Sequence, residues 1–118
     1  TALLGRELGV ARLGFAEVDA AGEVATVRRH FADGRLPSMV GAWRLDEFGP
    51  DFIAEMRAGR TVAIPDVWLD PRTAPRRAAF DAVGTRATLH VPLLRGGRMA
   101  ALLFTHDAAP RDWTAHDV

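Results

Sequence analysis

The strongest constraint on the fold is a hairpin signal in the C-terminal third of the chain. Residues 85–94 and 98–106 are two runs of strand-forming residues, and Gly96-Gly97 separates them. Two glycines between such runs are typical of a tight antiparallel turn, because glycine adopts the positive φ angles that the turn requires. A second pair of runs, residues 10–18 and 23–31, flanks the turn residues 19–22. Two hairpins in one short chain predict a mainly antiparallel sheet.

Two short helices are predicted by the residues at their ends. Pro50 begins the first and Gly59 ends it, and Pro75 and Gly84 bracket the second in the same way. Proline at the first helical position and glycine just past the last are the expected asymmetry of a helix. Between the two helices, residues 61–64 predict a short strand that Pro65 ends.

The segment before these helices, residues 32–49, is predicted to be a long connection. It holds turn residues together with several large apolar side chains, Trp43 and Phe48 among them. A loop of that composition should pack back on the domain, and long ordered loops are often functional.

The ends of the chain predict helices that are cut short. Residues 1–8 read as the end of a helix before Gly9, and residues 114–117 read as the start of another. The chain also begins at Thr1 rather than Met. We therefore expect one domain over residues 1–118 with truncated terminal helices. The expected fold class is α+β, an α/β sandwich in which a mainly antiparallel sheet of five or six strands carries helices on both faces.

Composition excludes several classes of function. The chain has no cysteine, so disulfides, thiolate catalysis, thiolate metal sites and thiol-linked cofactors are excluded. Fifteen basic and 15 acidic residues balance, which argues against a nucleic-acid surface. The four histidines lack metal-ligand spacing, so no metal site is expected. No apolar run reaches the length of a membrane span and no signal peptide is visible, so we expect a cytoplasmic protein without membrane contact.

The ordered motifs resemble those of GAF domains. The most characteristic stretch, Gly84 to Leu103, contains Val91-Pro92-Leu93, a glycine turn and an apolar strand. Residues 59–67, followed by Asp70-Pro71-Arg72, are similar to the middle strand and loop of that family. Residues 4–10 are similar to its opening helix and first strand. The resemblance covers nearly the whole chain.

Within that family, the chain most resembles GAF domains that precede bacterial histidine kinases and, more distantly, those of phytochromes. Asp46 falls where phytochromes carry an Asp-Ile-Pro motif, and His106 falls where they carry a pocket histidine. Thr88 and His90 fall at pocket-lining strand positions. Since there is no cysteine, no covalently bound bilin is expected. The identity of any other cofactor stays open.

A pocket is predicted between the sheet and the segments 39–52 and 75–83, with apolar walls and a few convergent polar groups. The candidate ligand-binding residues are Trp43, Asp46, Phe48, Phe52, Phe80, Arg86, Thr88, His90 and His106. The strand register leaves one alternative open. A two-residue Gly-Gly turn places His106 on the sheet face opposite His90, whereas a three-residue loop places both on one face.

The function implied by the resemblance is that of a regulatory signal-input domain, with a downstream kinase or other output domain and a small ligand in the pocket. A homodimer through the terminal helices is expected.

The composition also suggests a bacterial source. All 15 basic residues are Arg and Tyr is absent, a codon bias that suggests a GC-rich bacterial genome. The alternative function is a ligand-free interaction or dimerisation module. No catalytic residues are evident, so the domain is not expected to be an enzyme.

Overall fold

The computed structural model of the protein describes residues 10–113. Within them, six strands form one sheet and two α-helices pack against it. The strands are β1 (Arg12–Val18), β2 (Val24–Ala32), β3 (Gly41–Arg44), β4 (Val62–Ile64), β5 (Ala87–Arg95) and β6 (Arg98–Asp107), and the helices are α1 (Pro50–Arg57) and α2 (Arg77–Ala82).

The sheet has the strand order β3-β2-β1-β6-β5-β4, and every neighbouring pair is antiparallel. The N-terminal and C-terminal hairpins therefore meet in the centre, where β1 pairs with β6. This confirms the predicted α+β class with a six-stranded antiparallel sheet. The predicted terminal helices, residues 1–8 and 114–117, lie outside the described residues.

The predicted long connection is wrong in one respect, because it contains a strand. Residues Gly41–Arg44 form β3, which pairs with β2 from Val24 to Val27 at the edge of the sheet. A 3₁₀ turn, Leu45–Phe48, follows it. Four residues are too few to show a strand period. The strand forms because the backbone of β2 offers an open edge for pairing.

The two helices form where the proline and glycine signals placed them, and both pack on one face of the sheet. Helix α1 buries Phe52, Ile53 and Met56. The second helix is shorter than predicted, because a 3₁₀ turn at Ala74–Arg76 precedes α2. Phe80 is its buried residue. No helix within residues 10–113 is both long enough and apolar enough to cross a lipid bilayer.

The register of the β5–β6 hairpin combines a tight turn with a bulge. Arg95 pairs with Arg98, so the turn has the predicted two residues, Gly96-Gly97, both with positive φ. Leu94 pairs with Met99 but Leu93 pairs with Ala101, so β6 contributes one extra residue, Ala100. Beyond this bulge the register differs by one residue from that of a regular two-residue hairpin.

The core lies between the two helices and the sheet face on which they pack. Apolar side chains from both layers contact each other there. Its buried members are Ala16, Val18, Ala25, Val27, Leu45, Phe52, Ile53, Met56, Val62, Ile64, Val67, Phe80, Met99, Leu102 and Phe104. Trp43 and Phe48 are partly buried against this cluster.

Candidate functional site

A cavity of about 50 Å³ lies inside this core, between the sheet and the helices. Only three of its lining residues are polar: Thr85, His90 and His106. The others are apolar: Ala16, Ala25, Val27, Met39, Trp43, Leu45, Phe48, Phe52, Ile53, Met56, Phe80, Val83, Leu102 and Phe104. The site is therefore an apolar chamber with one polar end.

Six of the nine candidate residues line this cavity: Trp43, Phe48, Phe52, Phe80, His90 and His106. The first four form a series of aromatic contacts. The ring centroids of Phe48 and Phe80 are 5.2 Å apart, and those of Phe52 and Phe80 are 6.1 Å apart. The Phe52 ring lies 5.1 Å from the His90 ring, so the aromatic wall reaches the polar end.

Two of the candidates lie on the surface instead. Asp46 accepts a hydrogen bond from Arg57 at 3.3 Å, in the 3₁₀ turn before α1. Arg86 pairs with Asp66 at 2.7 Å and stacks on the Trp68 ring at 3.7 Å. Arg86 lies directly before β5. The loop that carries Asp66 passes there, so the Arg86 guanidinium forms its ion pair with Asp66.

Thr88 lies on the correct face of β5 but does not line the cavity. It pairs with His106 across the strands and is fully buried. Among the described residues, its hydroxyl oxygen is the one buried side-chain polar atom without a hydrogen-bond partner.

The register question about the histidines is answered by the bulge at Ala100. His106 pairs with Thr88 rather than with Ala87, which brings it to the same face as His90 although the turn has two residues. The Nε2 atoms of His90 and His106 are 3.1 Å apart.

Arg12 completes the polar end, and sequence reasoning missed it. It begins β1, is completely buried, and donates to the carbonyls of Pro37 and Val83, to the Thr85 hydroxyl and to Nδ1 of His106. The available signal was its position in alternation with the small residues Gly14 and Ala16, on the face that the helices cover. Arginine is seldom fully buried, so its residue type does not indicate a position inside the core.

The electrostatics of this group favour uncharged histidines. Burial, aided by the charge of Arg12, lowers the pKa of His90 to about 3. The same causes, together with the other histidines, hold the pKa of His106 well below its usual value. Desolvation lowers the pKa of Arg12 to about 10, so this residue still carries the positive charge at neutral pH.

A metal ion has little to bind in this part of the molecule. Within residues 10–113 there is no cluster of three or more His, Cys, Asp or Glu side chains. The two histidines of the polar end face a guanidinium whose Nη2 lies 2.8 Å from Nδ1 of His106, and that charge repels a cation.

An antiparallel sheet of this strand order, with a cavity between one face and two short helices, defines an α+β domain with an internal chamber. The GAF domain family model matches residues 1–118, and the chain belongs to the GAF domain family. A search of curated proteins found no significant match.

Solved structures that share this fold include GAF domains of phytochrome-type proteins. One is the blue-light absorbing form of the PixJ GAF domain of Thermosynechococcus elongatus, with 23% identity, a TM-score of 0.80, and coverage of 98% of this chain and 70% of that one. Another is the phycocyanobilin-bound GAF domain of a cyanobacterial phytochrome, with 19% identity, a TM-score of 0.81, and coverage of 99% and 71%. A third is the chromophore-binding domain of a bacteriophytochrome from R. palustris, with 15% identity, a TM-score of 0.75, and coverage of 96% and 46%.

A bilin does not fit the residues of this chain. There is no cysteine to form a thioether with it. The cavity of about 50 Å³ is also far below the several hundred Å³ that a drug-sized ligand requires. Phe48, Phe52 and Phe80 pack together where a larger ligand would need space.

Proposed function

We propose that this GAF domain is the signal-input domain of a bacterial, cytoplasmic signal-transduction protein, with a histidine kinase as output, and that a small molecule in the cavity is its signal. The observation that carries the proposal is the cavity itself. Its walls are apolar except at one polar end, where Arg12 fixes the orientation of His106. Convergent polar groups in an apolar chamber are the usual form of a small-molecule site.

The position of Arg12 supports a route from the cavity to the rest of the protein. Its guanidinium connects three elements: the loop at Pro37, the end of α2 at Val83 and, through His106, the strand β6. It begins β1, one of the two central strands. A ligand that shifts His106 therefore changes the contacts of Arg12 at the start of β1.

The sensory role of the structural neighbours supports the same proposal by analogy. PixJ is a cyanobacteriochrome receptor whose GAF domain has a blue-light absorbing form, and the phytochrome neighbour holds phycocyanobilin. The chamber lies in the same fold here, but its size calls for a smaller molecule than a bilin.

We further propose that the domain is not an enzyme. Its polar end consists of a hydroxyl already bonded to Arg12 and two neutral histidines bonded to each other. Both histidines have pKa values far below neutrality, so neither is matched to proton transfer at pH 7.

The proposal is tested by thermal unfolding in the presence of a metabolite library. A ligand at about 100 times its dissociation constant should stabilise the fold by about 2.7 kcal/mol. Ala25→Leu fills the cavity that Ala25 lines and should abolish the shift. Ala63→Leu makes the same change at an exposed position and should retain it. A library that shifts neither the wild type nor the Ala63→Leu variant contradicts the proposal.

A second function, that of an interaction and dimerisation module, is favoured by the opposite face of the sheet. Phe15 and Leu93 lie on it, each 47% exposed. Exposed apolar side chains on one sheet face mark an interaction surface when they are contiguous. We propose a homodimer through the terminal helices. Light scattering of a longer protein extending beyond Val118 tests it, and a monomer at high concentration contradicts it.

A further inference from the structure

The hydrogen bonds of Arg12 fix where every proton of the polar end lies. The guanidinium only donates, and all five of its N–H groups are used: Nε and one Nη2 bond reach Nδ1 of His106, the other Nη2 bond reaches Thr85, and the two Nη1 bonds reach Pro37 and Val83. Arg12 therefore has no donor left for a ligand. Nδ1 of His106 must be an acceptor.

A neutral His106 with an accepting Nδ1 carries its proton on Nε2. That proton points to Nε2 of His90, 3.1 Å away, which must then accept. The proton of His90 is consequently on Nδ1, and the atom facing it is Sδ of Met56 at 3.2 Å. The chain of donors runs in one direction, from Arg12 through His106 and His90 to Met56.

The last acceptor in this chain is the weakest. A thioether sulfur is a poor hydrogen-bond acceptor, so the Nδ1–H of His90 is only weakly satisfied. His90 and Met56 both line the cavity. Thr85 adds to the same pattern, because its oxygen accepts from Arg12 and its own proton has no acceptor among the described hydrogen bonds. The cavity thus presents donors in need of an acceptor.

The positive charge at the start of this series of hydrogen bonds, on Arg12, also lacks a counter-charge within residues 10–113. Arg12 is completely buried, and among the described residues no carboxylate lies within ion-pair distance of it. The nearby Asp107 is engaged by Arg35 at 3.2 Å and Arg111 at 3.6 Å. Buried charges are normally paired, and hydrogen bonds in a chain polarise one another. An anion at the His90 end of this hydrogen-bond series would accept a strengthened hydrogen bond from the Nδ1–H group of His90.

We propose that the ligand is a compact apolar monocarboxylate, whose carboxylate replaces Met56 Sδ as the acceptor of the His90 Nδ1–H bond. This inference rests on the proposed function and names the ligand class. The hydrocarbon part lies against Phe48, Phe52 and Phe80, which also line the cavity. A cavity of about 50 Å³ holds only a few non-hydrogen atoms, so the acid is a short one.

Three probes of nearly equal shape test the charge and the acceptor separately: butyrate, butyramide and butylammonium. Calorimetry at pH 7 and constant ionic strength should show butyrate binding at least tenfold more tightly than butyramide, and butylammonium not binding. Long-range ¹H–¹⁵N spectra of the histidines should show His90 protonated at Nδ1 before the titration. Its signal should move when butyrate is added.

Two substitutions of His106 test the series of hydrogen bonds from Arg12 to His90. His106→Gln preserves the series, because the amide oxygen accepts from Arg12 and the amide nitrogen donates to His90. This variant should retain butyrate affinity within about threefold. His106→Leu breaks the series and should cost tenfold or more for butyrate with little change for butyramide. Arg86→Met removes an arginine that pairs with Asp66 outside the cavity and should change neither affinity.

The outcomes separate this inference from the proposed function. Butyramide binding as tightly as butyrate, or a library ligand that proves neutral or cationic, overturns the carboxylate and leaves the sensor intact. His90 protonated at Nε2 in the wild type overturns the inference without any variant. A library without any ligand overturns both.

Discussion

His90 and His106 lie with their Nε2 atoms 3.1 Å apart, on neighbouring strands of one sheet and in the wall of the cavity. At that distance one of the two nitrogens must carry the proton and the other must accept it. A second proton would bring two imidazolium groups together beside Arg12. The folded protein therefore favours the neutral form of both histidines, and protonation at low pH should reduce its folding stability.

Stability should fall as the pH drops below about 6.5. Burial lowers the pKa of His90 to about 3 and that of His106 well below its usual value, so the unfolded chain binds protons that the folded chain does not. Their stabilisation is complete above the unfolded pKa, near 6.5. For His90 it is lost by up to about 1.4 kcal/mol per pH unit as the pH falls toward 3, and for His106 the loss has the same sign and begins at the same pH.

Urea unfolding at pH 7, 6 and 5 measures this slope. A variant with His90→Phe should lose about half of the slope over this range. The half-buried ion pair of Asp70 with Arg72 does not interfere. Hydrogen bonds to Arg72 lower the pKa of Asp70, and in the unfolded chain an aspartate protonates only near about pH 4, below this range. Equal stability at pH 7 and pH 5 would show that the histidines are not buried as a neutral pair.

Thr88→Val should stabilise the domain by about 1 kcal/mol. The Thr88 hydroxyl is buried without a partner, and valine has the same shape without the cost of an unsatisfied polar group. Thr73→Val is the matched control, because Thr73 is equally buried but donates to the Val67 carbonyl at 2.8 Å. The control should be destabilised by about 1 kcal/mol. Chemical denaturation of both variants measures the difference, and a loss of stability in Thr88→Val would refute the prediction.

Gly14→Ala should destabilise the sheet by about 1–3 kcal/mol. A Cβ atom at this position would lie 2.7 Å from Cβ of His30 and would collide with the ring of Phe104. Gly14 pairs with both residues across the sheet, so the backbone cannot retreat on either side. Adding Phe104→Leu to Gly14→Ala should restore part of the loss. Thermal unfolding of the two variants checks this, and an unchanged melting temperature in Gly14→Ala would contradict it.

Deletion of Ala100 should remove the bulge and still keep the two histidines together. Ala101 would then follow Met99 directly, so Leu93 still pairs with Ala101 and Thr88 with His106 in a regular two-residue hairpin. Because Leu102 and Phe104 stay in the core, we expect the deletion variant to fold. Ala100→Ser keeps the bulge at a half-buried position and should also fold normally. Circular dichroism and the histidine ¹⁵N spectra check the pair, and a deletion variant that loses the His90–His106 contact would contradict this prediction.

The sequence by itself determined the elements that local chemistry controls. Pro50 and Gly59 set α1, and Gly96-Gly97 set the tight turn, because each of these residues restricts its own backbone. The aromatic side chains Phe48, Phe52 and Phe80 reached the predicted cavity because large apolar groups in loops and short helices must be buried against the sheet.

The tertiary structure alone decided the polar end of the cavity. Pairing across strands placed the bulge at Ala100 and so brought His106 beside His90, a choice that the turn residues left open. The same long-range contacts buried Arg12 and gave Arg86 to Asp66 instead of a ligand. Local sequence cannot predict such partners, because the cost of burying a charge or leaving a proton unsatisfied depends on groups that only folding brings within reach.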